Sequence, residues 1–415
     1  MQQASTLASH RDRSPAGPRI FLALLAYTSL LYYGSLYPFS GWHRPAAPLM
    51  HFLPYWPDHL DKGDVLQNLL VYGPFGLLCT LWLVRSMPVV AAAFTAVVLG
   101  TVVSFSVECL QQFNPTRVAS TVDIVMNGLG TAGGALLSTT IVRHTFSGAL
   151  ILAWRDRWFR QGALTNVGLV VFGFWILSQT SPLVPTLDIG HLRHALGGLW
   201  RALHAPDAID MARLARYACL TSGLGVMVIL MGNPGKPVLS LFAVALGAVL
   251  FAKVIVINRV LSLEAIYGSA LALAACLVLK HLPARRLALL GMVLVVTGFT
   301  ISEQMPGEGG GIGLPFNWIP FAGHMRTLTA LEDILEFLWP FMAIGWLVRS
   351  AAQGKASRVH ILAGAVLVGG GAFWLEWHQQ WTPGRYGDMT QVMLCVVGWI
   401  IPWCSRETAE DGRRL

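Results

Sequence analysis

Twelve stretches of apolar residues follow one another along the chain, separated by polar segments. Each stretch is close in length to the ~20 residues that a helix needs to cross the hydrocarbon core of a bilayer. The stretches are residues 20–37, 66–84, 89–109, 122–142, 165–182, 214–232, 238–253, 263–280, 286–302, 331–348, 359–377 and 389–404. This pattern predicts an all-α, polytopic membrane bundle of about twelve transmembrane helices.

The composition supports the same class of protein. Of the 415 residues, 54% are hydrophobic and only 12% are charged, whereas soluble domains are about one quarter charged. A soluble enzyme and a disordered chain are therefore excluded. The net charge of +8 is explained by basic residues in short inner loops, which predicts that both termini lie inside, and it does not indicate a nucleic-acid partner. The six cysteines form no C-x-x-C pair, so neither a metal site nor a cofactor is predicted.

The loops and runs divide the chain into five regions. They are a cytoplasmic tail at 1–19, a four-helix unit at 20–143, a middle membrane region at 144–302 with a long outer loop at 183–213, a second unit at 303–404, and a cytoplasmic tail at 405–415. His191 and His194 in the outer loop are three residues apart, which could suit a metal. A solvated amphipathic segment explains the same spacing.

An internal duplication relates the first four apolar runs to the last four. Residues 64–69 align without gaps with residues 333–338 at an offset of 269. A second block aligns Glu108, Gln112, Pro115 and Arg117 with Glu376, Gln380, Pro383 and Arg385 at an offset of 268. Because eight predicted spans separate equivalent positions, the repeats are expected to be parallel, with both polar blocks on the outer face.

The polar residues of the first block are expected to form an outward-facing binding pocket. Glu108 and Gln112 are four residues apart, as are Asp123 and Asn127, so each pair shares a helical face if its helix is continuous. Arg117 follows in the loop between them, and Asp64, Gln67 and Asn68 are expected to join from the second run. An arginine suits phosphate or carboxylate groups. Glu108 and Asp123 are the candidates for a catalytic base.

The second block is expected to form a related pocket. Its members are Glu376, Gln380, Arg385 and Asp388, with Asp333 and Glu336 from the preceding run. Aligning Asp388 with Asp123 makes the second loop the shorter one, since 388 − 385 = 3 and 123 − 117 = 6. A structural explanation stays open, in which the pairs Glu108–Arg117 and Glu376–Arg385 are buried ion pairs that hold each hairpin.

Three further features of the sequence bear on the function. The aromatic residues Phe316, Trp318 and Phe321 are explained either by a membrane-interface belt or by an outer cavity for an amphipathic ligand. Gly128, Gly130, Gly133 and Gly134 have the small-residue spacing of closely packed helices. Neither a phosphate-binding loop nor a zinc-protease motif is present, which argues against an ATP-driven machine.

The first unit resembles the VanZ-like family. The motifs that carry the resemblance are Asp64-x-x-Gln67-Asn68-Leu69-Leu70-Val71-Tyr72-Gly73-Pro74-Phe75-Gly76, Glu108-x-x-x-Gln112-Phe113-x-Pro115-x-Arg117, Asp123-x-x-x-Asn127-x-x-Gly130 and Tyr37-Pro38-Phe39. The resemblance covers about residues 20–143, and the second unit looks like a diverged copy that lacks the equivalents of Asn68 and Asn127. It implies a bacterial inner-membrane protein, and the family's namesake is associated with reduced susceptibility to the glycopeptide teicoplanin.

The sequence leaves four functions open. The first is a cell-envelope protein that contacts membrane lipids and whose outer pockets bind or modify a lipid-linked glycan, an envelope precursor or an amphipathic antibiotic. The second is a membrane enzyme acting on polyprenyl-phosphate-linked substrates, with Arg117 on the phosphate. The third is a transporter or flippase, and the fourth is a structural scaffold.

Overall fold

The computed structural model of the chain is built from α-helices. The structure describes residues 16–36, 41–45, 48–57, 62–115, 117–143, 146–181, 186, 189–204, 209–256, 259–307, 315–321, 330–353 and 357–405. These residues form α1 (Ala16–Leu36), α2 (Lys62–Leu83), α3 (Val89–Gln111), α4 (Thr121–Arg143), α5 (Phe146–Trp158), α6 (Ala163–Thr180), α7 (Ile189–His204), α8 (Met211–Met231), α9 (Val238–Ile255), α10 (Leu263–Leu279), α11 (Ala284–Gln304), α12 (Ala330–Ala352), α13 (Arg358–Gln379) and α14 (Met389–Cys404). The predicted tails lie mostly outside the described residues, and the motif at 37–39 lies wholly outside them.

The predicted all-α class is confirmed, and each of the twelve apolar runs overlaps one helix. Two more helices lie where the sequence predicted connections. α5 follows the first four helices, and α7 lies in the outer loop that was expected at 183–213. The helix α7 is amphipathic, with His191 and Arg193 among its polar residues. A search for continuous apolar runs misses such a helix, because its apolar residues recur only on one face.

A multi-pass membrane protein is indicated by the length and exposure of the helices. Eight of the described helices are long and apolar enough to cross a membrane, namely α2, α3, α6, α8, α9, α11, α12 and α13, and three shorter helices, α1, α10 and α14, are also apolar. Large apolar side chains cover their outer surfaces. Phe94 on α3 is 71% exposed and Leu367 on α13 is 76% exposed. A surface this apolar suits lipid better than water, while twelve crossings and the orientation remain predictions.

The folded chain forms two compact units, Met1–Leu152 and Ala153–Leu415. In the structure, the first unit and the second unit are these two parts of the chain. In the first unit, α4 packs against both α2 and α3, and α1 lies against α2. Glycines allow this close approach, because a side chain on Gly130 would meet the backbone of Leu69 and one on Gly134 would meet the backbone of Gly73. The interpretation of these two glycines as packing residues is confirmed. A side chain on Gly133 would meet open space.

In the second unit, α12 occupies the centre and packs against α6, α11 and α14. Its core contains fully buried large side chains, among them Met227, Phe242, Met342 and Leu347. Part of the pairing among the first four helices recurs among the last four. The contacts α11–α12, α12–α14 and α13–α14 match α1–α2, α2–α4 and α3–α4, respectively, whereas α2 packs on α3 much more extensively than α12 does on α13.

Candidate functional site

The carboxylate of Glu108 is buried in the last turn of α3, where 2% of the residue is exposed. Its Oε2 accepts a hydrogen bond of 2.8 Å from the backbone N–H of Ser120, the residue that precedes α4. N–H groups at the start of a helix have no partner within the helix and carry partial positive charge. The end of α3 is therefore tied to the beginning of α4 through a carboxylate.

Asp123 lies half-buried in the first turn of α4. The side chains of Asn68 on α2 and of Ser120 lie close to its carboxylate. Ser120 therefore lies beside two acids, because its N–H donates to Glu108 and its side chain approaches Asp123. We call Glu108 and Asp123 the acid pair. The structure brings together these two predicted residues and the predicted Asn68.

Asn127 lies one turn further along α4 and is 4% exposed. Its Nδ2 donates to Ser104 Oγ at 2.9 Å, and Ser104 itself lies one turn before Glu108 on α3. The Oδ1 of Asn127 is buried, and no donor reaches it from the described residues. Such an atom costs about 1–3 kcal/mol, so the interior beside the acid pair retains an available hydrogen-bond acceptor.

The connection between α3 and α4 also closes the end of α1. Arg117 Nη2 donates to Gly34 O at 3.0 Å, Gln111 Nε2 to Ser35 O at 2.9 Å, and Asn114 Nδ2 to Leu36 O at 3.1 Å. The last carbonyls of a helix lack intrahelical partners, so these side chains stabilise the end of α1. The salt bridges among the described residues do not include a Glu108–Arg117 pair. The sequence analysis missed Gln111 and Asn114.

Gln112 lies one turn after Glu108, but its side chain has a different partner. The helix α3 ends at Gln111, and Gln112 is its C-cap with helical backbone angles. Gln112 Oε1 accepts from the Met50 N–H at 2.9 Å. Gln380 is likewise the C-cap of α13 and donates to Trp377 O at 3.1 Å.

In the second unit, Glu376 is 2% exposed and its Oε2 accepts a hydrogen bond of 3.0 Å from the Asp388 N–H. With its amide nitrogen towards Glu376, Gln391 donates to both carboxylate oxygens at 2.7 and 2.6 Å. Asp388 is the N-cap of α14, and its Oδ1 accepts from the Thr390 N–H at 2.7 Å. Asp388 therefore has a capping role.

The alignment of Asp388 with Asp123 is wrong. Nine residues separate the two helices in each unit, since 120 − 111 = 9 and 388 − 379 = 9. Asp388 therefore corresponds to Ser120, and Gln391 corresponds to Asp123. The sequence comparison paired the two residues because both are aspartates. The positions at which α4 and α14 begin pair Asp388 with Ser120 instead. At this offset, an amide in the second unit lies where the first unit has its second acid.

The structural explanation predicted an ion pair between Glu376 and Arg385, but Arg385 pairs with Glu303 instead. Its Nη1 lies 3.1 Å from Glu303 Oε2, and its Nη2 donates to Ser302 O at 2.8 Å. Gln379 Nε2 also donates to Glu303 Oε2, at 2.6 Å. The sequence analysis missed Glu303 and Gln379. The signal was an acidic residue directly after the apolar run 286–302.

Several of these contacts recur at one constant offset. Arg117–Gly34, Glu108–Ser120 and Gln111–Ser35 correspond to Arg385–Ser302, Glu376–Asp388 and Gln379–Glu303, and every residue differs from its counterpart by 268. The helix packing shows a similar pair of contacts. A side chain on Gly398 would lie 2.7 Å from Leu338 O, as one on Gly130 would meet Leu69 O, and here the glycines differ by 268 and the leucines by 269.

The first four helices contain both acids, their serine and the glycine contacts described above. Residues 20–143 match the VanZ/LLP1 family model. This match confirms the VanZ-like resemblance, and it covers α1 to α4 with the whole acid pair. The helices α11 to α14 lie outside the matched residues. No curated protein and no solved structure matches the chain significantly.

The other predicted residues lie around these centres. In the VanZ-like unit, Asp64 is exposed and interacts electrostatically with Asp123, while Gln67 is half-buried. In the second unit, Glu336 Oε1 lies 3.7 Å from Arg216 Nη2, and Asp333 is half-buried. Burial raises the pKa of the Tyr386 phenol above its usual value, and nearby carboxylates add to the shift.

A cluster of aromatic rings lies against the C-terminal half of α13, the part of the helix that also carries Glu376. The cluster consists of Phe316, Trp318, Phe373, Trp377 and Trp381, with neighbouring ring centres 4.5 to 6.3 Å apart. Trp318 is 58% exposed and Trp381 is 65% exposed. Exposed tryptophans of this kind suit a membrane interface.

Proposed function

We propose that this protein is a VanZ-like protein of the bacterial cell envelope that binds the headgroup of an amphipathic molecule at the acid pair. The proposal is carried by one observation, namely that Glu108 and Asp123 both lie beside Ser120 in a helical membrane unit. Ionisable residues at membrane depth are costly and are retained mainly where they pair or act. Here two acids approach one another, so pairing with a cation does not explain both.

The chemistry of the site favours a ligand that is rich in hydrogen-bond donors. Ionised carboxylates only accept hydrogen bonds, and the buried Oδ1 of Asn127 adds a third acceptor. Sugar hydroxyls and ammonium groups are the complementary donors. A lipid-linked glycan, an envelope precursor and a glycopeptide antibiotic all carry such groups on an amphipathic frame.

The recurring contacts support an internal duplication in which α11 to α14 are a diverged copy of α1 to α4. This assignment places α11 in the second copy, which then begins before the region expected at 303–404. Because Gln391 donates to Glu376, the second copy supplies its own donor to the carboxylate. We therefore assign ligand binding to the VanZ-like unit, and we assign a structural role within the membrane bundle to the second copy.

Replacing either carboxyl group of the acid pair by an amide is expected to weaken ligand binding by about tenfold or more, because a buried ligand group that loses its hydrogen-bond partner costs about 1–3 kcal/mol. The variants are Glu108→Gln and Asp123→Asn, and the amide oxygen of Glu108→Gln can still accept the bond from the Ser120 N–H. Binding of labelled teicoplanin and of a labelled polyprenyl-linked sugar to the purified protein is measured. Cells expressing these variants should also lose any change in teicoplanin susceptibility that the wild-type protein confers.

The matched control is Gln112→Ala, which removes a polar side chain from the same connection without touching the acid pair. It should bind as the wild type does. The proposal fails if both acid-pair variants retain wild-type affinity for every ligand that the wild type binds. Membrane levels of each variant, measured by immunoblotting, separate a binding defect from loss of the protein.

The acid pair also supports the enzymatic alternative, in which one carboxylate acts as a general base on a polyprenyl-linked substrate. A base must come within hydrogen-bond reach of the proton that it removes, and two neighbouring acids provide one base and one acid. Turnover of the labelled polyprenyl-linked sugar by the wild type and its loss in Asp123→Asn would establish this alternative. Binding without turnover would favour the first proposal.

The duplication predicts that both connections that follow Glu108 and Glu376 face the outer side of the membrane. Val118 is 87% exposed, and its equivalent Tyr386 is 39% exposed. In a background without native cysteines, Val118→Cys and Tyr386→Cys should react with an impermeant maleimide in intact cells. The control Ser86→Cys, at the other end of α3, should react only after permeabilisation. Labelling of only one of the two sites would contradict parallel copies.

A further inference from the structure

A charged cavity lies within the second unit, among the ends of α6, α8, α9, α11 and α12. Its volume is about 40 Å³, and a single water needs about 10–15 Å³, so several water-sized groups fit. Part of the wall is apolar and includes Trp175, Leu246 and Phe299. The charged side chains of the wall are Arg216, Lys253, Glu303 and Glu336.

The two carboxylates of the cavity already have partners. Glu303 pairs with Arg385 at 3.1 Å and accepts from Gln379 at 2.6 Å. Glu336 Oε1 lies 3.7 Å from Arg216 Nη2. Two cations and two anions therefore line the cavity, but Glu303 is already paired with Arg385 from outside the lining, and Glu336 lies nearest Arg216.

Among the described residues that line the cavity, Lys253 is the cation without a carboxylate partner. The residue is 6% exposed and lies in the last turn of α9. Its Nζ lies 5.7 Å from the centre of the Tyr217 ring, and among the described residues no hydrogen bond or ion pair reaches it. Arg216 Cζ lies 5.8 Å from the same ring, and its buried Nε has no acceptor in the described part of the chain. Both cations therefore gather around one tyrosine.

We propose that an anionic oxygen group, a phosphate or a carboxylate, binds between Lys253 and Arg216. It would supply the acceptors that Lys253 Nζ and Arg216 Nε lack in the described part of the chain. Arginine and lysine donors suit such groups, and the apolar wall suits the chain of an anionic lipid. A free phosphate presents the same chemistry. The inference is independent of the acid pair, because it uses none of its residues.

The competing explanation is that Lys253 only packs its ammonium on Tyr217. The two explanations predict opposite effects of Lys253→Met without ligand. An unpaired buried cation opposes folding, so its replacement by an apolar side chain of similar length should raise the unfolding temperature. If Lys253 is a packing residue, the same change should lower that temperature, because a cation–π contact is lost.

The test uses the purified full-length protein in detergent. The probes are inorganic phosphate and a short-chain phosphatidylglycerol, and diacylglycerol with the same chains is the uncharged comparison. We expect the wild type and Lys253→Arg to bind an anionic probe, and Lys253→Met to bind it about tenfold or more weakly. The matched control Lys280→Met makes the same change at an exposed lysine and should bind as the wild type does.

The two probes distinguish the source of the anion. Binding of phosphatidylglycerol without binding of phosphate assigns the site to a lipid headgroup, and binding of phosphate assigns it to a free anion. Either result supports the proposal. It is overturned if the wild type binds neither probe, if Lys253→Met binds as tightly as the wild type, or if diacylglycerol binds equally well.

Discussion

Replacing Gly134 by alanine is expected to destabilise the VanZ-like unit severely. A methyl group at this position would clash with the carbonyl oxygen of Gly73 and lie 2.8 Å from the backbone nitrogen of Leu77. Both neighbours are backbone atoms of α2, so the clash is relieved only if the two helices separate. Overpacking costs about 1–3 kcal/mol and occasionally more. We expect the upper end of that range, because no flexible side chain absorbs the strain.

The control for this prediction is the neighbouring glycine. A methyl group on Gly133 would meet open space, so Gly133→Ala should cause no loss of stability. Alanine favours a helix over glycine by up to about 1 kcal/mol, and a small gain is expected. The unfolding temperatures of both variants are measured in the same detergent. Equal losses at Gly134 and Gly133 would contradict the close packing of α4 on α2.

Glu303→Ala is expected to lower the free energy of unfolding by about 3–5 kcal/mol, because it leaves the largely buried guanidinium of Arg385 without its counter-ion. The change also removes the acceptor of the 2.6 Å bond from Gln379. Glu303 is 6% exposed, so water does not replace either interaction easily. The free energy of unfolding in detergent measures the effect, and the exposed neighbour Gln304 provides the control. Gln304→Ala should change it by less than about 0.5 kcal/mol.

The double variant Glu303→Ala, Arg385→Met tests the cause of this loss. Removing both partners of a buried ion pair is often close to neutral, whereas removing one is costly. The double variant should therefore be more stable than Glu303→Ala alone. If it is less stable by the full sum of the two single effects, the pair does not act as a unit.

The helices were predictable because each is apolar over most of its length. The twelve runs overlap twelve helices, and the offset of 268 was visible from Glu108 and Glu376. The amphipathic α7 and the short α5 were not predicted, since neither is a continuous apolar run. The contacts of polar residues near helix ends were the weak point, since Gln112 lies one turn after Glu108 but binds the Met50 N–H.

The sequence by itself determined the membrane class, the VanZ-like resemblance and the constant spacing between two sets of polar residues. These are properties of composition and order along the chain. Only the tertiary structure decided which polar groups meet. Arg117 reaches the carbonyl of Gly34, and Arg385 reaches Glu303, across 83 and 82 residues of chain. A buried side chain takes the partner that the packing of neighbouring helices brings within reach, and spacing within one loop does not contain that information.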